Sequence, residues 1–234
     1  MSDGLPGALL AMAALSVPVL VVAGLIALAV ITAQRRARLT QEWCAGSGWT
    51  VVGADPALAE RWRGSPFNVG RRRRASEIVT GRFRGRPATS FTYSYTTGSG
   101  KNQHTVTHHV VALALPAFLP TLQLTHDGFG ADLAKSFGGQ DIQFESDVFN
   151  KAWRVESSDP RIAHAVLHPR LMERLLAPDA RRLRIRIEGS DVLCWRGGRQ
   201  DLTAIASVAT VLADIADSVP RFVWQEHGYD PVNA

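Results

Sequence analysis

Residues 5–33 read LPGALLAMAALSVPVLVVAGLIALAVITA and contain no charged side chain. A helix rises about 1.5 Å per residue, so crossing a hydrocarbon core of roughly 30 Å takes about 20 apolar residues. The stretch is long enough, with residues to spare for tilt. No later segment has a comparable run, so the rest of the chain is expected to fold in water.

The flanks give the anchor a direction. A secretory signal joins a basic start to a shorter apolar core and a small-residue cleavage site. Here the chain begins MSDG, without a basic side chain, and the apolar run is longer. A retained single-pass anchor is therefore expected over a cleaved signal. Arg35, Arg36 and Arg38 follow at once. Under the positive-inside rule that end stays cytoplasmic. The expectation is a cell-membrane protein with residues 1–4 outside, a span over 5–33, and everything from residue 34 inside.

What remains of the 234 residues suits one domain or two small ones. The formal charge is +5, and the excess is local. Nine arginines lie between residues 61 and 86, against a single acid, Glu77. Cys44 and Cys194 are the only cysteines, too far apart in sequence for a metal or redox motif. Free thiols fit a reducing compartment.

Taken in order, residues 34–48 are expected to continue as a juxtamembrane helix capped at Gly46 and Gly48. A short strand follows at 49–52. Asp55-Pro56 has the form of a cap and first-turn proline, opening a helix through Trp62. Residues 64–70 are a loop. Over 76–115 the pattern is an antiparallel meander, broken at 85–87 and 98–101, with Phe91, Tyr93 and Tyr95 on one face by period two. Pro116 and Pro120 are expected to end it.

A strand at 122–125, a turn at 126–128 and a helix at 129–137 come next, then strands at 142–145 and 152–156. Asp159-Pro160 repeats the cap-then-proline start for helices at 161–167 and 171–176. A hairpin is expected to pair 182–188 with 192–195 around a turn at 189–191. Asp201 caps a helix whose Leu202, Ile205, Val208, Ala209, Leu212, Ile215 and Ala216 share one face. Val219-Pro220 stops it, 222–224 reads as a short strand or packed segment, and 227–234 as a loose tail. The fold class is α+β: antiparallel sheet with packed helices over 49–226. Two sub-units are expected to meet near 119–137.

Several clusters invite chemistry. Gly98-Ser99-Gly100-Lys101 resembles half a phosphate loop, but Asn102 follows the lysine and the segment joins two strands, so a hairpin turn is expected. His104 and His108 share a strand face while His109 points away, which does not make a zinc set. Glu145, Asp147, Glu156 and Asp159 have the spacing of hairpin rims and helix caps, and Ser157-Ser158 lacks a nucleophile-elbow context. Arg161, Arg170, Arg174, Arg181, Arg182, Arg184 and Arg186 form a second basic population, offset by Glu173 and Glu188 and expected on a solvated face. Arg71, Arg72, Arg73 and Arg74 are read either as a solvated edge or as a contact for anionic lipid. Near such a surface each basic residue contributes about 1 kcal/mol. Nucleic acid is disfavoured, because no aromatic-interleaved motif or recognition helix accompanies them. No catalytic, cofactor-binding or metal-binding residue is assigned, and no cofactor is expected.

The run Phe149-Asn150-Lys151-Ala152-Trp153-Arg154-Val155-Glu156-Ser157-Ser158-Asp159-Pro160, followed by Ala163 and Leu167-His168-Pro169-Arg170-Leu171-Met172, resembles a family of uncharacterised membrane-anchored bacterial proteins common in actinobacteria. Arg61-Trp62-Arg63-Gly64-Ser65-Pro66-Phe67 and the segment Val219 to Trp224 look similar too. The resemblance implies an N-terminal membrane helix and a soluble domain, with no activity or ligand attached. The reading is a membrane-tethered cytoplasmic binding or scaffold protein of unspecified role, whose anchor meets membrane lipid, whose basic cluster is a candidate contact for anionic lipid, and for which a membrane-protein partner is a candidate. The alternatives are an enzyme with a site assembled from scattered residues, or an accessory subunit of another membrane protein.

Overall fold

The computed structural model describes residues 5–126 and 141–232, with side chains from residue 20 onward. Two compact units emerge, Met1–Ser47 and Gly48–Ala234. The first is one helix, α1, spanning Leu5–Ser47. At 43 residues it is about 65 Å long. It continues past residue 34 without interruption, as expected for the juxtamembrane segment. Leu20, Val21, Val22, Leu25, Ile26, Leu28, Val30 and Ile31 all lie exposed on it. By length and composition this helix can cross a membrane. Beyond its end Gly48 takes φ +73°, the left-handed conformation that ends helices and that glycine adopts without strain.

The second unit is α+β. Its strands are β1 (Thr50–Val51), β2 (Arg71–Phe83), β3 (Arg86–Thr97), β4 (His104–Thr125), β5 (Arg154–Ser157) and β6 (Arg184–Gly197). Its helices are α2 (Asp147–Ala152), α3 (Pro160–Val166), α4 (Pro169–Leu175), α5 (Ile205–Ser218) and α6 (Arg221–Glu226). All six strands form one antiparallel sheet in the order β1-β2-β3-β4, with β5 and β6 also paired to β4. The first half of β4 pairs with β3, its last residues pair with β5, and β6 runs along both halves.

Pro116 and Pro120 do not end β4; they lie inside it. Between Ala114↔Asp191 and Leu122↔Ile187 the β4 chain is longer than the β6 chain opposite it. Such a bulge removes ladder bonds, which is where proline is tolerated, and bends the sheet. The hairpin expected over 182–195 is likewise absent. Gly189, at φ +64°, turns the strand locally, and residues on both sides of it pair with β4.

Other expectations also change. Residues 142–145 are not a strand; only an isolated bridge joins Asp141 to Glu156. Ser146 instead caps α2 by accepting from the Phe149 N–H. Residues 222–224 belong to α6, since Pro220 starts a helix there. The turn after Asp55 is a single 3-10 turn at Ala57–Glu60. The expected turn at 126–128 and helix at 129–137 lie largely outside the described residues.

Each sheet face buries a different set. Phe91, Tyr93, Val110, Ala112, Leu193 and Trp195 lie on one face, under Leu58, Trp62 and Phe67 from the segment before β2. Trp62 stacks on Phe91, and the Phe67 ring meets both Tyr93 and Trp195. By strand alternation the opposite face presents Val79, Ala88, Val111, Leu113, Val192 and Cys194, all buried. Helix α5 lies on β4 and β6, and α4 packs on α5. The α5 stripe Ile205, Val208, Ala209, Leu212, Ile215 and Ala216 is buried as its spacing foretells. Asp159 caps α3 and Asp201 caps the turn before α5, as expected.

Candidate functional site: a cationic cavity where the bent ribbon closes

The bend in β4 and β6 carries the start of β6 back toward its own end. Arg186 is the visible result. Its side chain is wholly buried. Its guanidinium donates to Gln123 Oε1, to the carbonyls of Arg63 and Ser65, and to Glu188 at 3.4 Å. It also sits over the Trp195 ring. Burial pulls its pKa down to about 10 while Glu188 pulls the other way, so it is charged at neutral pH. A second tie, Arg61 and the Trp62 indole N–H both donating to Asp191, holds the same loop. These contacts fasten residues 61–67 to the sheet.

Beside this clamp the two ends of the ribbon enclose a cavity of about 370 Å3. Its described walls are His126, just past β4; Arg182 and Arg184, at the start of β6; and Trp195, Arg196 and Gly197, at its end. Arg196 donates to Asp201 at 2.8 Å and to His109 Nδ1 at 3.3 Å. Burial lowers the Arg184 pKa. The Arg184 charge also reaches His108, whose pKa falls to about 4 through burial first and Arg184 second. His108 is buried against Tyr95, and among the described residues neither of its ring nitrogens reaches full hydrogen-bond geometry.

His126 is fully committed. Nδ1 lies 2.9 Å from the Ala152 carbonyl, and Nε2 accepts the Arg182 backbone N–H at 2.7 Å. With Nε2 accepting, the Nδ1 side carries the ring proton that meets the Ala152 carbonyl. The bond also holds Arg182 at φ +75°, a left-handed conformation that disfavours any side chain.

A serine–histidine pair escaped the sequence reading, because Ser90 and His109 sit on different strands. Ser90 Oγ is 2.9 Å from His109 Nε2. The pair has the contacts of a dyad without its chemistry. His109 Nδ1 accepts from Arg196, so Nε2 carries the proton and donates it to Ser90, the reverse of a general base. Gln200 donates to Ser90 as well, and Ser90 is fully buried. Together with Thr92, Glu77 and Arg199, the group anchors the 199–201 connection against the sheet.

The residues singled out from sequence are scattered. Arg35, Arg36 and Arg38 lie exposed on α1. Arg71, Arg72 and Arg74 are exposed at the start of β2, whereas Arg73 pairs with Glu60 at 2.7 Å. Arg61, Arg84 and Arg86 are also spent on carboxylates, namely Asp191, Asp214 and Asp217. His104 is exposed, and His108 and His109 face opposite sides of β4. The second arginine population is not one solvated face. Arg186 is interior, Arg174 bridges Asp179 and Asp214, and Arg182 and Arg184 line the cavity. Strand alternation alone does not reveal this, because the bulge at Gly189 reverses which side of β6 faces inward. A second cavity of about 430 Å3, beside Tyr229, holds Arg84 and Arg86, and α5 carboxylates already pair both.

No family model matches the chain, and no curated protein matches it. Among solved structures it is similar to the mycobacterial trehalose monomycolate transport factor A, TtfA, with a TM-score of 0.53 and 17% identity, covering 77% of this chain and 90% of that one. At that identity the likeness speaks for the fold. It is a neighbour of actinobacterial origin, which agrees with the resemblance read from the sequence.

Proposed function

We propose that this protein is a membrane-tethered accessory factor: α1 anchors it, and the sheet unit works beside a membrane-protein partner from the cytoplasmic side. The observation that carries the reading is an apolar helix whose Leu20–Ile31 stretch lies exposed, joined to a unit whose fold is similar to that of a transport factor. A transport factor's fold favours an accessory role over catalysis, and the fully committed His126, Ser90 and His109 agree with that. The orientation rests on Arg35, Arg36 and Arg38 under the positive-inside rule. Arg71, Arg72 and Arg74 add contacts to anionic headgroups, each worth about 1 kcal/mol near the surface.

Crosslinking of intact membranes followed by purification in mild detergent tests this. The expected result is a carbonate-resistant membrane protein, a protease-protected C-terminal unit in sealed right-side-out vesicles, and a discrete crosslinked membrane partner. Full solubility after lysis, or an exposed C-terminal unit, overturns it. Replacing Arg71, Arg72 and Arg74 with glutamine should weaken retention of the protein on anionic over neutral nanodiscs; no difference removes the lipid contact.

A further inference from the structure

We infer that the lipid contact of the sheet unit is a two-part patch, the start of β2 with Arg71, Arg72 and Arg74 and the tip of the β3–β4 hairpin with Lys101, and that it reads the density of negative charge in the bilayer. The inference rests on the anionic-lipid contact proposed above and deepens it, adding the hairpin and the property sensed. The fold brings the two parts together. Arg71 pairs with Thr96 across β2 and β3, Thr96 pairs with Thr105 across β3 and β4, and neighbouring strands lie about 4.8 Å apart. The Arg71 guanidinium also donates to the Gly98 carbonyl at 3.3 Å, joining the start of β2 directly to the hairpin. The tip is a built turn. The Asn102 N–H donates to the Ser99 carbonyl at 3.1 Å, and Gly98, at φ +80°, lies so close to the Asn102 carbonyl that a Cβ has no room. Lys101 stands exposed on that turn.

The charge here is uncompensated. Arg71, Arg72, Arg74 and Lys101 are all exposed, and none has a carboxylate partner among the described residues. Between Glu60 and Asp127 the only acid is Glu77, which Arg199 already meets at 2.6 Å. Glu60 itself holds Arg73. Arg84 and Arg86, at the other end of β2 and β3, are the contrasting case, since α5 carboxylates pair both. The backbone supports the cluster. From Arg71 to Arg74, β2 takes one residue more than β3 takes from Thr96 to Ser94. Such a bulge re-aims side chains. It holds Arg72 at φ +54°, a conformation that glycine adopts without strain and arginine does not. With it, three of four consecutive arginines are exposed and only Arg73 turns to a carboxylate. Because the cations stand open on strand ends and a turn, they sense surface charge and not the shape of one headgroup. With α1 as tether the contact forms at high effective concentration, so individually weak charges suffice. Near an anionic surface each basic residue raises the bound population about fivefold, and the attraction fades over a Debye length.

The test uses the full-length protein in nanodiscs, in a Cys44→Ser background with a dye on Ser99→Cys and acceptor dyes on a trace of the headgroups. Ser99 is exposed on the tip, and the remaining Cys194 is buried. Energy transfer should be higher in discs containing phosphatidylglycerol than in pure phosphatidylcholine. It should be equal for phosphatidylglycerol and phosphatidylserine at the same mole fraction, and should fall to the phosphatidylcholine level in high salt. Lys101→Gln should lower the ratio of contacting to detached populations about fivefold. Arg71→Gln, Arg72→Gln and Arg74→Gln together should return transfer to the phosphatidylcholine level, and Arg170→Gln, on α4, should change nothing. If the triple variant lowers transfer and Lys101→Gln does not, the arginine–lipid contact stands and the two-part patch is overturned. Equal transfer in neutral and anionic discs overturns both, while the accessory role still stands or falls on its membrane crosslink. A preference for one anionic headgroup over the other at equal charge, or an equal loss with Arg170→Gln, overturns the charge-density reading.

Discussion

The guanidinium carbon of Arg186 lies 4.8 Å from the centre of the Trp195 ring, although both residues belong to β6. Nine residue steps of extended strand span about 30 Å. An arginine side chain bridges only a fraction of that, so the backbone itself must fold over. The contact therefore measures the bend of the β4–β6 ribbon, and the same bend forms the cavity. Arg186→Met should lower stability by about 3 kcal/mol, because Gln123, Glu188 and two loop carbonyls lose a buried charged partner. Urea unfolding followed by near-UV dichroism would show it. A midpoint equal to the wild type would mean that the clamp contributes nothing.

Acid should unfold the sheet unit earlier than its carboxylates alone require. His108 and His109 are both held near pKa 4, each by burial first and by a neighbouring arginine second, against 6.5 in the unfolded chain. A depressed histidine stabilises fully above pH 6.5, and that contribution is lost as pH falls toward 4. Each adds a slope of up to about 1.4 kcal/mol per pH unit in that window. His108→Leu should flatten the dependence of the urea midpoint between pH 6.5 and 4 by one histidine's share. It should cost little at pH 8, because the neutral imidazole it removes is buried against Tyr95 and neither ring nitrogen reaches full hydrogen-bond geometry with a described residue. An unchanged slope would contradict the assignment.

At Gly81 the sheet is touched by the Trp49 ring so closely that an added Cβ would lie 2.6 Å from it. Gly81→Ala forces a buried indole to shift and should cost about 1–3 kcal/mol. Trp49→Leu in the same background should recover part of that loss, since the smaller side chain leaves room. Thermal melts of the two single variants and the double variant decide it; strict additivity would argue that the residues do not touch.

Much of this architecture is written in local signals. The Asp159 and Asp201 caps, the α5 stripe and the Phe91–Tyr95 alternation each depend on a few neighbouring residues, and each appears where the pattern puts it. The failures share a cause. Pro116, Pro120 and Gly189 look like terminators, yet they sit in a bulge where two long strands bend without separating. Misplacing that bulge turns β6 into a hairpin and sends Arg184 and Arg186 to solvent. The cavity was therefore illegible: its walls come from 126, 182–184 and 195–197, which only the bend brings together. The Ser90–His109 pair was hidden for a similar reason, since a cross-strand contact leaves no periodic trace.

Cys194 tests the depth of the helix-covered face, next to the Arg184 backbone. It is almost wholly inaccessible, and burial pushes its thiol pKa up to about 12 from 9.0. The thiolate is the reactive form, so the native thiol should resist alkylation. In a Cys44→Ser background the folded protein should consume no maleimide at pH 7.5, and one equivalent after denaturation. The raised pKa also sets a sign: its stabilising contribution is intact below pH 9 and is lost as pH climbs toward 12. Cys194→Ala should shrink the alkaline decline in the urea midpoint across that window. Rapid labelling of the native protein would mean that α5 does not seal this face of β6.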